Sequence, residues 1–199
     1  MSWYQADPAD LREFRVQKDD FSVCCTGRNT PSEGFDGLIR AMEELSSDVK
    51  VHLLLVGDVD KNEVIRALAA QSPASDRIHF TGFRTDAPSL AAASDIFVLP
   101  SKEREGLPRA VIESMVYGVA PVVTRVGGMP ELVENGVSGL VVPPSNSSEL
   151  AGAIERLYRD NEFRAKLGQA ARERIAGQFH TSETVRETGE LYKSLVGRS

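Results

Sequence analysis

Two glutamates, Glu105 and Glu113, lie in a segment whose residues indicate a loop followed by a helix, Val98 to Gly118. Pro108 stands where the first helical turn should begin, because a proline there loses no hydrogen bond and already has a helical φ. Glu113 then falls in the second turn, so both carboxylates can face one crevice. Since a carboxylate accepts two hydroxyl hydrogen bonds from a vicinal diol, the pair is suited to holding a sugar.

Gly106 and Leu107 lie between the two glutamates, and we expect their amides to be exposed at the helix start. Free amides and the helix dipole favour negative charge there. The alternative for Glu113 is a solvated helix face, which needs no ligand. Its apolar neighbours place the carboxyl close to buried surface, where it would be costly without a partner. These neighbours are Val111, Ile112, Met115 and Val116.

A polar loop, Thr26 to Gly34, follows the first strand-like run. Gly27 and Gly34 allow close backbone approach, and Arg28 can make a forked contact with phosphate oxygens. The alternative is an ordinary surface loop with one arginine. Neither a Walker loop nor a GxGxxG turn is present, so the glycines and the lysine with which those motifs bind phosphates are absent from this loop.

Two further loops follow other strand-like runs. The segment Arg125 to Glu131 contains adjacent glycines whose amides could approach an anion or a sugar, with a simple turn as the alternative. The segment Phe80 to Arg84 could frame a flat base with backbone groups around Gly82 and with the ring of Phe83. Core packing is the alternative for both phenylalanines.

Short apolar runs alternate with helical patterns along most of the chain and must position these loops. The runs are partly β-branched, as buried strands are, and the segments between them place apolar residues at three- and four-residue spacing. We predict strands over Phe21–Thr26, Val51–Val56, Ile78–Thr81, Ile96–Leu99, Pro121–Thr124 and Gly139–Val142. Helices are predicted over Gly37–Leu45, Asn62–Ala70, Ala87–Ala93 and Pro108–Tyr117.

This alternation predicts an α/β fold, a Rossmann-like parallel sheet with helices on both faces. In such a sheet the ligand crevice lies at the carboxyl ends of the strands, where the strand-to-helix loops converge. After the two prolines at 143 and 144 an all-helical tail is predicted, over Ser148–Arg159, Asn161–Gly177 and Thr181–Leu195. Ser147 or Ser148 is expected to cap the first of these helices, and Asp160 the second.

Composition limits the classes of function. The chain has 199 residues, 41% apolar and 26% charged, as in ordinary globular proteins. Asp and Glu outnumber Lys and Arg by 29 to 23, and without a basic stripe this disfavours nucleic acid as the main partner. No apolar run approaches the roughly 18 residues that span a bilayer, and the polar residues 1–20, predicted to be a lead-in or interdomain linker, hold no signal-type apolar core. We therefore expect a cytoplasmic protein.

The sequence does not indicate a metal or redox centre. Cys24 and Cys25 are adjacent in a predicted strand, so their side chains should point to opposite faces, which disfavours a disulfide between them. Asp58 and Asp60 have the spacing of a pair that could hold a metal ion beside phosphates, but we interpret them as turn and helix-cap residues. No metal ion or other cofactor is expected.

The order of these motifs resembles the C-terminal, donor-binding domain of the family 4 retaining glycosyltransferases, which have the two-domain GT-B fold. The resemblance runs from about Phe21 to the C-terminus, and the order is more specific than any single motif. It includes Gly27-Arg28 followed by Gly34 and LIRAMEEL, then LLLVGD, IHFTGF, ASDIFVLPS, Glu105-x7-Glu113, GVAPVVT and GGMPELVENGVSGLVVPP.

The resemblance implies roles in holding the sugar and the ribose. Glu105 would contact hydroxyls of the donor sugar and stabilise the reacting centre. The amides of Gly106 and Leu107 would serve the same sugar, and Glu113 would hold the ribose. The segment Glu105-Gly106-Leu107-Pro108 lacks the commoner Gly-Phe-Gly arrangement, so the resemblance does not identify the sugar.

The diphosphate and the base would be met by the other loops. Arg28 would neutralise diphosphate charge, and the backbone near Gly82 and Phe83 would meet the nucleobase. Glu33 departs from the family pattern, because members usually carry Lys just before the glycine of the first loop. A carboxylate within a few ångströms of a diphosphate opposes binding by about 1–4 kcal/mol. Either Glu33 pairs with Arg28 and turns away, or a nearby cation compensates: Arg84, Lys102, Arg104 or Arg109.

The resemblance implies that residues 21–199 are the nucleotide-sugar-binding half of a retaining, metal-independent glycosyltransferase of polysaccharide, lipopolysaccharide or glycolipid synthesis. An additional N-terminal GT-B domain would bind the acceptor glycan or glycolipid, so this half alone is expected to be inactive. The full enzyme could contact the cytoplasmic membrane face peripherally. The alternatives are a nucleotide-sugar binding or regulatory module without turnover, and half of a nucleotide-sugar epimerase. A NAD-linked oxidoreductase is disfavoured because its glycine fingerprint is absent.

Overall fold

The chain forms an α/β domain whose elements follow the predicted alternation. A computed structural model describes residues 6–103, 105–178, 189–190 and 192–193. The strands are β1 Phe21–Thr26, β2 Val51–Val56, β3 Ile78–Gly82, β4 Ile96–Leu99, β5 Ala120–Thr124 and β6 Leu140–Val142. The helices are α1 Phe35–Glu44, α2 Glu63–Gln71, α3 Ala87–Ala93, α4 Arg109–Val116, α5 Met129–Leu132, α6 Ser147–Arg159 and α7 Asn161–Gln178.

The six strands form one parallel sheet in the order β3-β2-β1-β4-β5-β6. The central strand β1 pairs with β2 on one side and β4 on the other, so Val23 lies between Leu53 and Ile96. Strand order therefore reverses between β1 and β4. In open parallel sheets, ligands bind outside the carboxyl ends of the strands at such a point.

Two apolar cores lie on opposite faces of the sheet. The first packs α1 and α6 against it and includes Cys25, and the second packs α3, α4 and α5 and includes Cys24. The prediction that the adjacent cysteines face opposite ways is confirmed, and both are free and buried. Helix α7 contributes Leu167 to the first core and Ile175 to the second, so it packs across both layers.

The cap of α6 differs from the prediction. Asn146, not Ser147 or Ser148, is the N-cap residue, and its side chain accepts a hydrogen bond from the Glu149 amide at 3.1 Å. The predicted cap of α7 is confirmed, because Asp160 Oδ1 accepts from the Phe163 amide at 2.8 Å. The predicted last helix, Thr181–Leu195, lies almost entirely outside the described residues.

The described part of the predicted lead-in is attached to the second core. A 3₁₀ turn, Leu11–Phe14, packs against that core, and Val16 is buried. The Ala9 amide donates to the Ser89 carbonyl at 3.0 Å. Among the described helices, none has the length and apolar character needed to cross a membrane.

Candidate active site

The loops after β1 and β4 meet at the point where strand order reverses. The Lys102 amide donates to the Ser32 carbonyl at 2.7 Å. Gly34 has φ +77°, and a Cβ there would lie 2.0 Å from the Pro100 carbonyl oxygen. Only glycine allows this approach, so Gly34 serves the contact between the two loops.

Glu33 and Arg28 are joined within the loop after β1. The Glu33 side chain is 6% exposed, whereas that of Arg28 is 81% exposed. Glu33 Oε1 accepts from the Arg28 amide at 3.2 Å and lies 3.4 Å from Arg28 Nε. The other carboxylate oxygen would lie 2.8 Å from a Cβ on Gly27, so glycine at 27 makes room for the Glu33 carboxylate. The pairing anticipated for Glu33 and Arg28 is present, with the terminal nitrogens of the guanidinium left free of Glu33.

The charge of Glu105 acts on the Glu33 carboxyl. Burial raises the pKa of the Glu33 carboxyl, the hydrogen bonds from Arg28 lower it, and the negative charge of Glu105 raises it further. The net direction is upward. The loop after β4 therefore brings the Glu105 carboxylate close enough to Glu33 for their charges to interact.

Glu105 is held by the loop after β5. The Gly128 amide donates to the Glu105 carbonyl at 3.0 Å. Gly127 has φ +51°, and a Cβ on it would lie 1.8 Å from the same carbonyl oxygen. A Cβ on Gly128 would lie 2.7 Å from the Gly106 carbonyl oxygen. The Gly128 amide is therefore engaged within the chain, and the two glycines support the loop that carries Glu105.

Gly106 and Leu107 are exposed at the approach to α4, and Leu107 is 47% exposed. Helix α4 begins at Arg109 with Pro108 as its N-cap, and no side chain caps it. Within the described residues the amides of Gly106 and Leu107 donate no hydrogen bond. Donors on the crevice side of a helix start are suited to an anion or a sugar hydroxyl.

Glu113 lies in the second turn of α4, as predicted, and its side chain is 12% exposed. A solvated helix face is therefore the wrong description. Arg109 Nε contacts Glu113 Oε1 at 2.7 Å across one helical turn and supplies the partner that burial requires. Among the described residues, no cation pairs with both Glu105 and Glu113, so no ion pair links the two glutamates.

Three glycines, at positions 27, 57 and 82, allow the backbone to pack closely at the carboxyl ends of β1, β2 and β3. The Gly57 amide donates to the Gly82 carbonyl at 2.9 Å, and the Gly27 amide donates to Val56 at 3.0 Å. A Cβ on Gly57 would lie 2.1 Å from the Gly27 carbonyl oxygen. This packing places the predicted base-contacting residue Gly82 beside the loop that carries Arg28.

The two phenylalanines near Gly82 have different environments. Phe83 is 75% exposed, so core packing is wrong for it, and its ring is open to a ligand. Phe80 is partly buried against the first core, and the Arg66 guanidinium lies 5.6 Å from the centre of its ring. The alternative of core packing therefore holds for Phe80 alone.

Asp58 and Asp60 lie in a 3₁₀ turn that ends at Lys61, so the prediction that they are turn residues is confirmed. They do not cap α2, because Asn62 Oδ1 accepts from the amides of Val64 and Ile65, at 3.1 Å in each case. Asp58 pairs with Lys61 at 3.0 Å. Over the ranges that the structure describes, no group of three or more His, Cys, Asp or Glu is placed to hold a metal ion.

Comparison with known proteins decides the family. Residues 7–174 match the family model of the glycosyl transferases group 1. The chain belongs to this family.

Curated relatives of this group 1 chain are glycosyltransferases. It is 33% identical to the lipopolysaccharide core biosynthesis glycosyltransferase LpsE of Rhizobium meliloti, over 85% of this chain and 49% of that protein. It is 30% identical to a GDP-mannose-dependent phosphatidylinositol monomannoside mannosyltransferase of Mycobacterium tuberculosis, over 88% of this chain and 49% of that protein. The chain therefore spans about half the length of these curated relatives.

A solved structure shows the same architecture. The Anabaena protein Alr3699/HepE, crystallised with UDP and glucose, superposes with a TM-score of 0.86 at 28% identity. The match covers 97% of this chain and 54% of that one. The group 1 chain thus has the fold of one part of a longer GT-B-like protein.

Three of the four cations proposed to compensate for Glu33 in this group 1 chain have acidic partners. Lys102 Nζ lies 2.7 Å from Asp36, and Arg84 pairs with Glu13 and Asp86. Arg109 pairs with Glu113, as described above. Arg104 lies outside the described residues.

Two of these ion pairs, Arg109 with Glu113 and Lys102 with Asp36, were not predicted from the sequence. Arg109 and Glu113 are four residues apart, a spacing that predicts contact on a helix once its start is known. The spacing of Asp36 and Lys102 carries no such signal, because the two residues meet only through neighbouring strands.

Proposed function

We propose that this chain is the donor-binding half of a retaining glycosyltransferase that moves a sugar from a nucleoside diphosphate sugar to an acceptor hydroxyl. The acceptor would belong to polysaccharide, lipopolysaccharide or glycolipid synthesis. The observation that carries the proposal is the convergence of an exposed guanidinium, free amides and Glu105 at the point of strand reversal in a group 1 chain. This is where open parallel sheets bind nucleotides.

Each group has a defined task in the proposal. The terminal nitrogens of Arg28 can contact oxygens of the diphosphate, and charge that develops on the departing diphosphate would be stabilised there and at the α4 start. The amides of Gly106 and Leu107 would bind the sugar together with Glu105. Phe83 and the backbone of Gly82 would meet the base. Glu113, held by Arg109, would bind the ribose hydroxyls.

The second half of the enzyme would lie outside this chain. An acceptor must bind opposite the donor, and closure of a cleft must exclude water from the reacting centre. Because the chain spans about half the length of its relatives, we propose that an N-terminal domain supplies both functions. This half alone would bind donor without transferring sugar. The proposal needs no metal ion, because Arg28 and helix-start amides would face the diphosphate.

Calorimetric titration with UDP-glucose and GDP-mannose tests donor binding. We expect one of these ligands to bind wild type, and Arg28→Ala to lower the affinity at least about tenfold, or 1.4 kcal/mol. Arg172→Ala is the matched control, because Arg172 is exposed on α7 and belongs to neither of the loops after β1 and β4. Equal affinity of the two variants, or no binding of any nucleotide sugar by folded protein, would contradict the proposal.

A binding or regulatory module without turnover is the second candidate. The observation that favours it is the buried Glu33 carboxylate beside the proposed diphosphate site, where it opposes anion binding. A chain that includes the second domain distinguishes the candidates. Release of nucleoside diphosphate in the presence of acceptor supports the transferase, and binding without release supports the module.

A further inference from the structure

The Glu33 carboxylate is buried, and among the described residues one cation contacts it. Its side chain is 6% exposed, and the contact is Arg28 Nε at 3.4 Å. A second hydrogen bond comes from the neutral Arg28 amide at 3.2 Å. An ionised carboxylate that has lost its hydration depends on such partners. The Arg28 guanidinium therefore supplies most of the stabilisation of the negative charge on Glu33, and the same guanidinium would bind the donor.

The other described groups around Glu33 add no free positive charge. Glu105, from the loop after β4, adds a negative charge that acts on Glu33. Cys25, on β1, is neutral because burial raises the pKa of its thiol well above the ordinary value. Lys102, where the two loops meet, is paired with Asp36 at 2.7 Å. Before any ligand arrives, Glu33 therefore has Arg28 as its cation and the Glu105 carboxylate as an opposing negative charge.

We infer that Glu33 takes up a proton when the diphosphate of a nucleotide sugar binds at Arg28, so that donor affinity increases as pH falls. The inference rests on the proposed donor site. A bound diphosphate adds two negative charges to the same guanidinium. Neutral Glu33 removes one of the opposing charges, and its carboxyl hydrogen can then be donated to a phosphate oxygen or to Glu105. The proton comes from solvent.

The sign of the pH dependence follows from the order of the two pKa values. The pKa of Glu33 already lies above its ordinary value in the free chain and would rise further in the complex. Affinity is then highest below the free-state pKa. It falls by at most about tenfold per pH unit as pH rises from the free-state value to the bound-state value.

Titration calorimetry of wild type in two buffers of different ionisation enthalpy counts the protons directly. UDP-glucose and GDP-mannose are the probes, because a doubly esterified diphosphate lacks the ionisation near about pH 6 of a terminal phosphate. We expect uptake of up to one proton per donor and tighter binding at about pH 5.5 than at about pH 8. Since this measurement uses wild type, it stands whether or not a variant folds.

Glu33→Gln tests the assignment to this residue, and its circular dichroism spectrum reports folding. Glutamine keeps an acceptor for the Arg28 amide without the charge. We expect proton uptake to disappear and affinity at about pH 8 to increase about tenfold or more. Glu162→Gln is the matched control and should behave as wild type. Glu162 is exposed in the first turn of α7, and Arg164 of the same helix pairs with Asp95 before β4.

The outcomes separate this inference from the proposed function. Donor binding that does not vary with pH, or proton uptake that persists in Glu33→Gln, overturns the inference and leaves the donor site standing. Failure of folded wild type to bind any nucleotide sugar at any pH overturns both.

Discussion

Gly127 is the residue through which the loop after β5 supports Glu105, and replacement with alanine tests that support. A Cβ at this position would lie 1.8 Å from the Glu105 carbonyl oxygen and 2.7 Å from the Glu105 amide nitrogen. Side-chain carbons do not approach backbone atoms so closely, so the Gly127→Ala chain must displace Glu105.

Gly136 supplies a matched control for the cost of a positive φ. It has φ +76° against +51° for Gly127, and a Cβ on it would meet no atom within 4 Å. Left-handed backbone costs an alanine about 1 kcal/mol at either position. Overpacking adds about 1–3 kcal/mol at Gly127 alone. We therefore expect the free energy of unfolding to fall by about 1 kcal/mol in Gly136→Ala and by about 2–4 kcal/mol in Gly127→Ala.

Urea denaturation followed by circular dichroism measures the two free energies. Calorimetric titration with UDP-glucose and GDP-mannose, under conditions where both variants are folded, then measures the effect on the site. We expect donor affinity to fall at least about tenfold in Gly127→Ala and to stay at the wild-type value in Gly136→Ala. Equal stability and equal affinity of the two variants would refute the argument that Gly127 holds Glu105 in place.

Three other predictions concern a cap, a titration and metal dependence. Asn146→Ala should lower the free energy of unfolding in urea by about 1 kcal/mol by removing the α6 cap, and an unchanged midpoint would contradict the assignment. Burial, aided by the neighbouring His52, lowers the pKa of His79 to about 4, so the unfolded chain binds a proton more readily. Stability should therefore decrease as pH falls from about 6.5 towards 4, and His79→Gln should flatten the slope. EDTA should leave nucleotide-sugar affinity unchanged, whereas loss of binding that Mg²⁺ restores would contradict a metal-independent site.

The sheet could be predicted because its strands are buried on both faces. Such strands are continuous apolar runs, and β1, β2 and β4 begin and end at the predicted residues. The α6 cap could not be assigned in the same way. Three consecutive polar residues, 146–148, can each cap a helix, and the choice depends on which of them keeps extended backbone, as Asn146 does.

The candidate site was predictable where its partners are close in sequence. Arg28 and Glu33 are five residues apart in one loop, so their opposite charges suggested the contact. The support of Glu105 by Gly127 depends on the adjacency of β4 and β5 in the sheet, which residue spacing does not encode. The burial of Glu113 could be inferred from its apolar neighbours, because they require the same face of α4 to approach the core.

Amide chemical shifts of ¹⁵N-labelled protein, recorded during titration with UDP-glucose and with GDP-mannose, report where a donor binds. We expect the largest changes at the Arg28 side-chain Nε–H and at the amides of Gly106 and Leu107, with the amino end of the sheet around Ser22 and Asp95 unaffected. Changes confined to that opposite end, or no saturable change with either ligand, would contradict a donor site at the junction of the loops after β1 and β4.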